Sequence, residues 1–184
     1  MLRPDKENGF NTPTGKVELY STTFEKWGLD PLPYFEEPPE SPVSTPEIAR
    51  DYPFVLTTGA KTNAFFHSEH RQIPSLRRLN PDPLVEIHPE TAKKLGIRDG
   101  DWVYIENTHG RCQQKAKLTT GIHPMVVHAQ HGWWFPEKSG PEPSLFGAWE
   151  SNINLLLPSG WTGKAGLGYP FKSQMCRVYK KEGA

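Results

Sequence analysis

The segment LTTGAKTNAFFHSEH, Leu56 to His70, gathers the side chains of this sequence best suited to chemistry. Two histidines stand three apart at His67 and His70, and His128 and His131 repeat the spacing. Such a pair presents both imidazoles to one metal ion only on a helix. His67 follows Phe65-Phe66 in a loop, and His128 falls in a strand, where i and i+3 face opposite sides. With no carboxylate-rich frame and no thiolate pair, the pattern argues against a dedicated metal centre. Phosphate loops fail as well. SGWTGKAG has Pro158 where the first glycine belongs and Ala165 where a hydroxyl is needed, and GAKT lacks a second glycine before its lysine. Cys112 and Cys176 sit in strand-like stretches, away from a helix start that would lower a thiol pKa, and read as small core residues. No serine occupies a strand-to-helix elbow.

What the segment does suit is the binding of an anion joined to a flat ring. Thr58-Gly59 ends a β-branched run, and the turn after it leaves backbone N–H groups unpaired. Glycine permits the positive φ and close approach that an anion nest uses. Lys61, Thr62 and Asn63 add donors, Phe65 and Phe66 add ring faces, and His67, Ser68, Arg71 and Gln72 add polar contacts. Farther along, Asn154 and Lys172 supply an amide and a cation beside apolar residues. Any one of these reads as an ordinary loop residue. Together they suit a large, polar, phosphorylated heterocycle.

The elements that must position them are legible from Tyr52 onward. PFVLTTG (Pro53–Gly59) and PLVEIH (Pro83–His88) read as strands. HPETAKKLGI reads as a helix of about two turns, with Pro89 at its first position, Glu90 at its positive end and Gly96 as its left-handed stop. DWVYIEN (Asp101–Asn107) alternates, and His109-Gly110 turns it onto RCQQKAKLT (Arg111–Thr119). MVVHAQ (Met125–Gln130) and FKSQMCRVYK complete the strands, with the looser INLLLPSG between them. Tight connections between strands, with a single helix among them, predict a small closed barrel. No internal repeat is evident in the sequence. Residues 1–50 differ. KVELY (Lys16–Tyr20) is a strand candidate, and the proline-crowded stretch after it cannot bury enough apolar surface to fold alone, which predicts an arm or linker lying on a neighbour.

Composition narrows the classes. At 184 residues the chain suits one domain with an arm, and 21 basic against 21 acidic residues leave no global pull toward nucleic acid or an anionic membrane. Two cysteines are too few for a disulfide scaffold. No apolar run is long enough for a membrane span, and MLRPDKENGF lacks a signal-peptide core, so a soluble chain of unassigned compartment is expected, cytoplasmic if it stands alone.

Several stretches resemble a known family. PFVLTTG, HSEHRQIPSL, PLVEIHPETAKKLGIRDGDWVYIENTHGRCQQKAKLT and PMVVHAQHGWW are similar to the C-terminal dinucleotide-binding domain of the dimethyl-sulfoxide-reductase-type molybdopterin oxidoreductases, over about residues 50–180. HSEHRQIPSL and HGWWFPE resemble the thiosulfate, polysulfide and acetylene-hydratase-type branch. The resemblance implies a mainly β fold, a double-psi β-barrel with a few short helices over residues 51–184, preceded by an extended N-terminal arm over residues 1–50 that joins a catalytic domain. It implies binding of bis(molybdopterin guanine dinucleotide), with molybdenum or tungsten held by the complete enzyme. Thr58 and Gly59 match the family's Thr-Gly-Arg motif, Ala60 takes the place of its arginine, and Lys61 is the neighbouring charge. Phe66, His67 and Ser68 close the loop, and Asn154 and Lys172 (after Phe171) match its later contacts. The metal's protein ligand lies in earlier domains of such enzymes, so this chain is not expected to turn over substrate alone. The partners implied are those domains or a large subunit and, in some members, an iron–sulfur electron-transfer subunit. His131, Trp133 and Trp134 either border the substrate funnel or form a buried aromatic cluster. The competing reading is a cofactor-free double-psi barrel serving as an assembly module.

Overall fold

A computed structural model describes residues 9–60, 62–160, 162–163, 166, 168 and 173–183. The chain divides into two compact units, Met1–Glu36 with Thr162–Tyr169, and Glu37–Trp161 with Pro170–Ala184. Among its described residues the first holds one short helix, α1 (Thr22–Lys26), capped by the Ser21 hydroxyl, which accepts from the Phe24 N–H at 3.2 Å. KVELY, expected as a strand, is not one. Its groups are engaged locally instead: Thr12 donates to the Lys16 carbonyl, and the Glu18 carboxylate accepts from Thr14. Without a neighbouring strand to pair with, β propensity alone does not hold an extended ladder.

The second unit contains α2 (Pro46–Asp51), α3 (Pro74–Arg77), α4 (Pro89–Lys94) and α5 (Ala148–Ser151) around six strands. These are β1 (Phe54–Ala60), β2 (Leu84–Ile87), β3 (Trp102–Glu106), β4 (Arg111–Leu118), β5 (Val126–Gln130) and β6 (Gln174–Lys180). They close into a barrel in the order β1-β5-β2-β4-β3-β6. β1 runs parallel to β5 and β2 parallel to β4, while every other pair is antiparallel. Exchanging β1 with β4, β2 with β5 and β3 with β6 returns the same pairs with the same directions. The barrel therefore consists of two topologically equivalent halves, although no repeat is visible in the residues. That two-fold pattern, with its two parallel crossings, is the double-psi β-barrel expected from the sequence.

Strand alternation fills the interior. Leu56, Val85, Ile87, Val103, Ile105, Val127 and Ala129 are fully buried, and Ile153 and Leu156 from a 3₁₀ turn plug one end. Cys112 and Cys176 lie in the same core, where burial pushes the Cys112 thiol up to about 12 and Cys176 well above its usual value. Gln114 is the polar exception in β4. Its amide donates to the carbonyls of Gln130 and Ser151, at 2.8 and 3.3 Å, and accepts from the Gln130 N–H. One side chain thus anchors the end of β5 and the segment carrying the 3₁₀ turn. Residues 37–50 belong to this unit. The buried Glu40 carboxylate accepts from the Met175 N–H of β6 at 2.5 Å.

On the outer face of β3 and β6, Glu106 accepts from Arg177 at 2.6 Å and from the Tyr179 hydroxyl. The Tyr179 hydrogen bond, helped by Arg177, holds this carboxyl below its ordinary range. A depressed folded pKa gives stability that is present above the unfolded value and is lost as pH falls through the folded one. Between about pH 5 and about pH 3, the melting temperature of Glu106→Gln should therefore fall less steeply than that of the wild type. Equal slopes in thermal melts across that window would contradict this.

Candidate functional site

Because β1, β3 and β5 run one way and β2, β4 and β6 the other, the last residues of the first three and the first residues of the others share one rim. Thr58–Ala60, Gln130 and the β3–β4 hairpin therefore stand at the same end, and the chain enters β6 there, with Gln174 opposite Leu56. β1 does not end regularly. Its register against β5 shifts between Thr58 and Ala60, and Gly59 at the shift has φ +93°. An added Cβ at Gly59 would meet nothing within 4 Å, so the glycine leaves an open face beside the strand end.

The loop after β1 returns over this rim. Phe65 is buried, whereas Phe66 is 61% exposed with its ring edge-on to His67. His67 adopts a left-handed φ of 49°, and its Nδ1 lies 3.2 Å from Nε2 of His131, just beyond β5. The histidine pairing suggested by spacing is thus replaced by one across two loops: His67 meets His131, while His70 turns toward Glu69 at 3.8 Å. The Ser68 carbonyl accepts from the Trp134 indole at 2.5 Å. Gly132, with φ +63°, lies under Ser68, where a Cβ would come within 3.3 Å of the serine's own. The two loops are in contact over this stretch, which requires glycine at that point.

Beneath them lies a second, smaller core. Trp133 is 1% exposed and meets Phe65 and Phe135 edge-on, at 5.8 and 6.3 Å between centroids. Of the two readings of this tryptophan, the buried aromatic cluster is the one realised. Arg71 and Arg77 stack on its ring at 4.7 and 5.2 Å. Gln130 exchanges hydrogen bonds with Asn80 and accepts from the Leu84 N–H, joining the loops to β2.

At the hairpin, the buried Asn107 accepts from the N–H groups of His109 and Gly110 and donates to the Leu156 carbonyl at 2.7 Å. This attaches the 3₁₀ turn Ile153–Leu156 to the same rim. Asn154 is exposed on that turn, its N–H donating to Asn152. Lys61, Phe171, Lys172 and the side chain of Ala60 lie outside the described residues. Among those described, no group of three or more His, Cys, Asp or Glu side chains could hold a metal ion, and no helix is long and apolar enough to cross a membrane. Sequence reasoning named Arg71 only as one polar contact of the loop and not as a buried cation, and it passed over the core amide Gln114. For Gln114 a signal existed: a polar residue at an inward-facing register of β4.

A double-psi barrel whose rim combines an open glycine turn, amide and imidazole groups and a cationic cluster is a binding module for a polar, anionic cofactor. The chain belongs to the family described as the molydopterin dinucleotide binding domain, whose sequence profile matches residues 54–174. It is 42% identical over 150 residues to acetylene hydratase of Syntrophotalea acetylenica, covering 81% of this chain and 20% of that protein. It is 43% identical over 137 residues to dopamine dehydroxylase of Eggerthella lenta, covering 72% of this chain and 13% of the relative. The solved acetylene hydratase from Pelobacter acetylenicus superposes with a TM-score of 0.82 at 37% identity, over 96% of this chain and 25% of that one. The chain thus spans no more than a fifth of the length of these two curated relatives. The residues present fit a molybdopterin guanine dinucleotide: the open face at Gly59 admits close approach, and the buried Arg71 provides positive charge under the loop that follows β1.

Proposed function

We propose that this chain is the C-terminal cofactor domain of a molybdenum- or tungsten-dependent oxidoreductase and holds bis(molybdopterin guanine dinucleotide) at the barrel rim. The observation that carries this reading is the end of β1, where a bulge at Gly59, φ +93°, leaves an unobstructed backbone turn at the rim. Backbone N–H groups of the turn that begins at Gly59 would receive phosphate oxygens, as nests of this kind do. The exposed ring of Phe66 offers a flat apolar face, and His67 and Ser68 offer an imidazole and a hydroxyl. Asn154, on the turn fixed by Asn107, and Lys172 complete the set. The bound group would supply two-electron redox chemistry, and the protein supplies orientation and exclusion of water. The metal's ligand, the substrate pocket and any iron–sulfur centre belong to the rest of the enzyme. Family membership favours this over the cofactor-free assembly module.

The test is direct. Expressed with the remainder of the enzyme in a host that makes the cofactor, the protein should release guanine nucleotide and a fluorescent oxidised pterin on acid hydrolysis. A metal-loaded enzyme that releases pterin but no guanine nucleotide would defeat the reading.

A further inference from the structure

A guanidinium removed from water is strongly unfavourable unless it is paired and fully hydrogen-bonded. Arg71 is 3% exposed and is the one cation among the described buried residues. Its Nη1 donates to the His67 carbonyl at 3.0 Å and its Nη2 to the His131 carbonyl at 3.4 Å. Phe65 and Trp133 cover the group, with centroids 4.8 and 4.7 Å from its carbon. It receives only neutral carbonyls and ring faces among the described residues. Among the described residues no carboxylate pairs with it, and its buried Nε has no acceptor. The neighbouring cation has a counter-charge, since Arg77 pairs with Glu137 at 3.1 Å. Burial, reinforced by Arg77, lowers the Arg71 pKa to about 10, which still leaves it charged at neutral pH.

The placement of its two bonds is informative. The carbonyls belong to His67 and His131, the two residues whose imidazoles meet at 3.2 Å. One carbonyl lies on the loop after β1 and the other just beyond β5, and those strands are parallel neighbours. A planar fork can hold two acceptors at a fixed separation, which an ammonium on a flexible stem does poorly. Trp134, bonded to the Ser68 carbonyl, ties the same two loops one residue past His67 and three past His131.

We infer that Arg71 is the positioning residue of the rim: its fork sets the spacing between His67–Ser68 and His131–Gly132, and an anionic group of the bound dinucleotide balances its charge. The inference rests on the rim being the cofactor site. It adds a buried residue that touches the ligand's neighbours and whose removal loosens the ligand.

The experiment compares guanine nucleotide retained per protein after gel filtration of the full-length enzyme, well below every variant's melting temperature. Arg71→Met should retain about tenfold less than wild type, the scale expected for losing charge-assisted hydrogen bonds. Arg71→Lys, which keeps the charge without the fork, should recover part of that loss while melting no higher than Arg71→Met. Arg77→Met, in the same aromatic cluster, should melt lower yet retain nucleotide. Retention that simply follows melting temperature across these variants would overturn the inference, because the role would then be structural alone. Gly59→Val separates the two readings. If it loses nucleotide while Arg71→Met keeps it, the Arg71 inference falls and the site stands. If both keep it, both fall. If Arg71→Met loses nucleotide and Gly59→Val keeps it, the role of Arg71 stands and the contact at Gly59 falls.

Discussion

Gly59→Val should give an enzyme that folds and carries little or no guanine nucleotide. The fold has room for the new side chain, since nothing lies within 4 Å of a Cβ at that position. What valine meets is backbone strain at φ +93°, on the order of 1–3 kcal/mol. A domain of ordinary stability, about 5–15 kcal/mol, absorbs that with a lowered melting temperature. The ligand has no such latitude. Two methyl groups would stand in the face proposed for phosphate approach, so nucleotide content should fall by more than about tenfold, a change of about 1.4 kcal/mol or more in binding. Gly59→Ala should lie between. Chromatography of released nucleotide, beside a thermal melt, checks it. A Val variant with wild-type nucleotide content would remove Gly59 from the binding contacts.

The largest stability effect should come from outside the barrel. Trp133→Ala should cost about 3–5 kcal/mol in urea unfolding, the range for deleting a buried large aromatic. Among the described residues the indole is the largest of the fully buried side chains, held edge-on by Phe65 and Phe135. Its loss would also uncover Arg71, whose guanidinium depends on that ring for its cover. Trp133→Phe should be much milder. The indole N–H has no acceptor among the described residues, so phenylalanine forfeits area and no hydrogen bond. A Trp133→Ala protein within about 1 kcal/mol of wild type would show that the cluster does not lock the loops together.

The strands were legible because each carries its own signal. Val103 and Ile105 alternate with Trp102, Tyr104 and Glu106, and the structure turns the first two inward, while Pro89 and Gly96 bracketed α4. The glycine turn at Thr58-Gly59 was legible for the same local reason. Two features were not. KVELY reads as a strand from its residues, but a strand exists only where a partner is present, and that information is not local. The His67–His131 pair joins residues 64 apart, brought together by the parallel β1–β5 pairing, whereas spacing alone pointed to His70. The same holds for positive charge. The sequence drew attention to Ala60 and Lys61, while the cation that the fold buries under the rim is Arg71, a residue whose role depends on two carbonyls from different loops.

The strand order also sets a timetable. Only β3 and β4 are neighbours both in sequence and in the barrel, and every other ladder joins strands separated by at least one more. Such a topology folds slowly, because chain entropy must be given up before distant partners reward it. The hairpin can form as soon as it is synthesised. β6 is made last and has to enter between β1 and β3, beside the end that carries Gly59. Until that strand is in place, the rim is an open seam, so barrel closure and completion of the binding end are one event. A nucleotide bound at this rim would therefore meet a closed barrel, and its binding would follow the entry of β6.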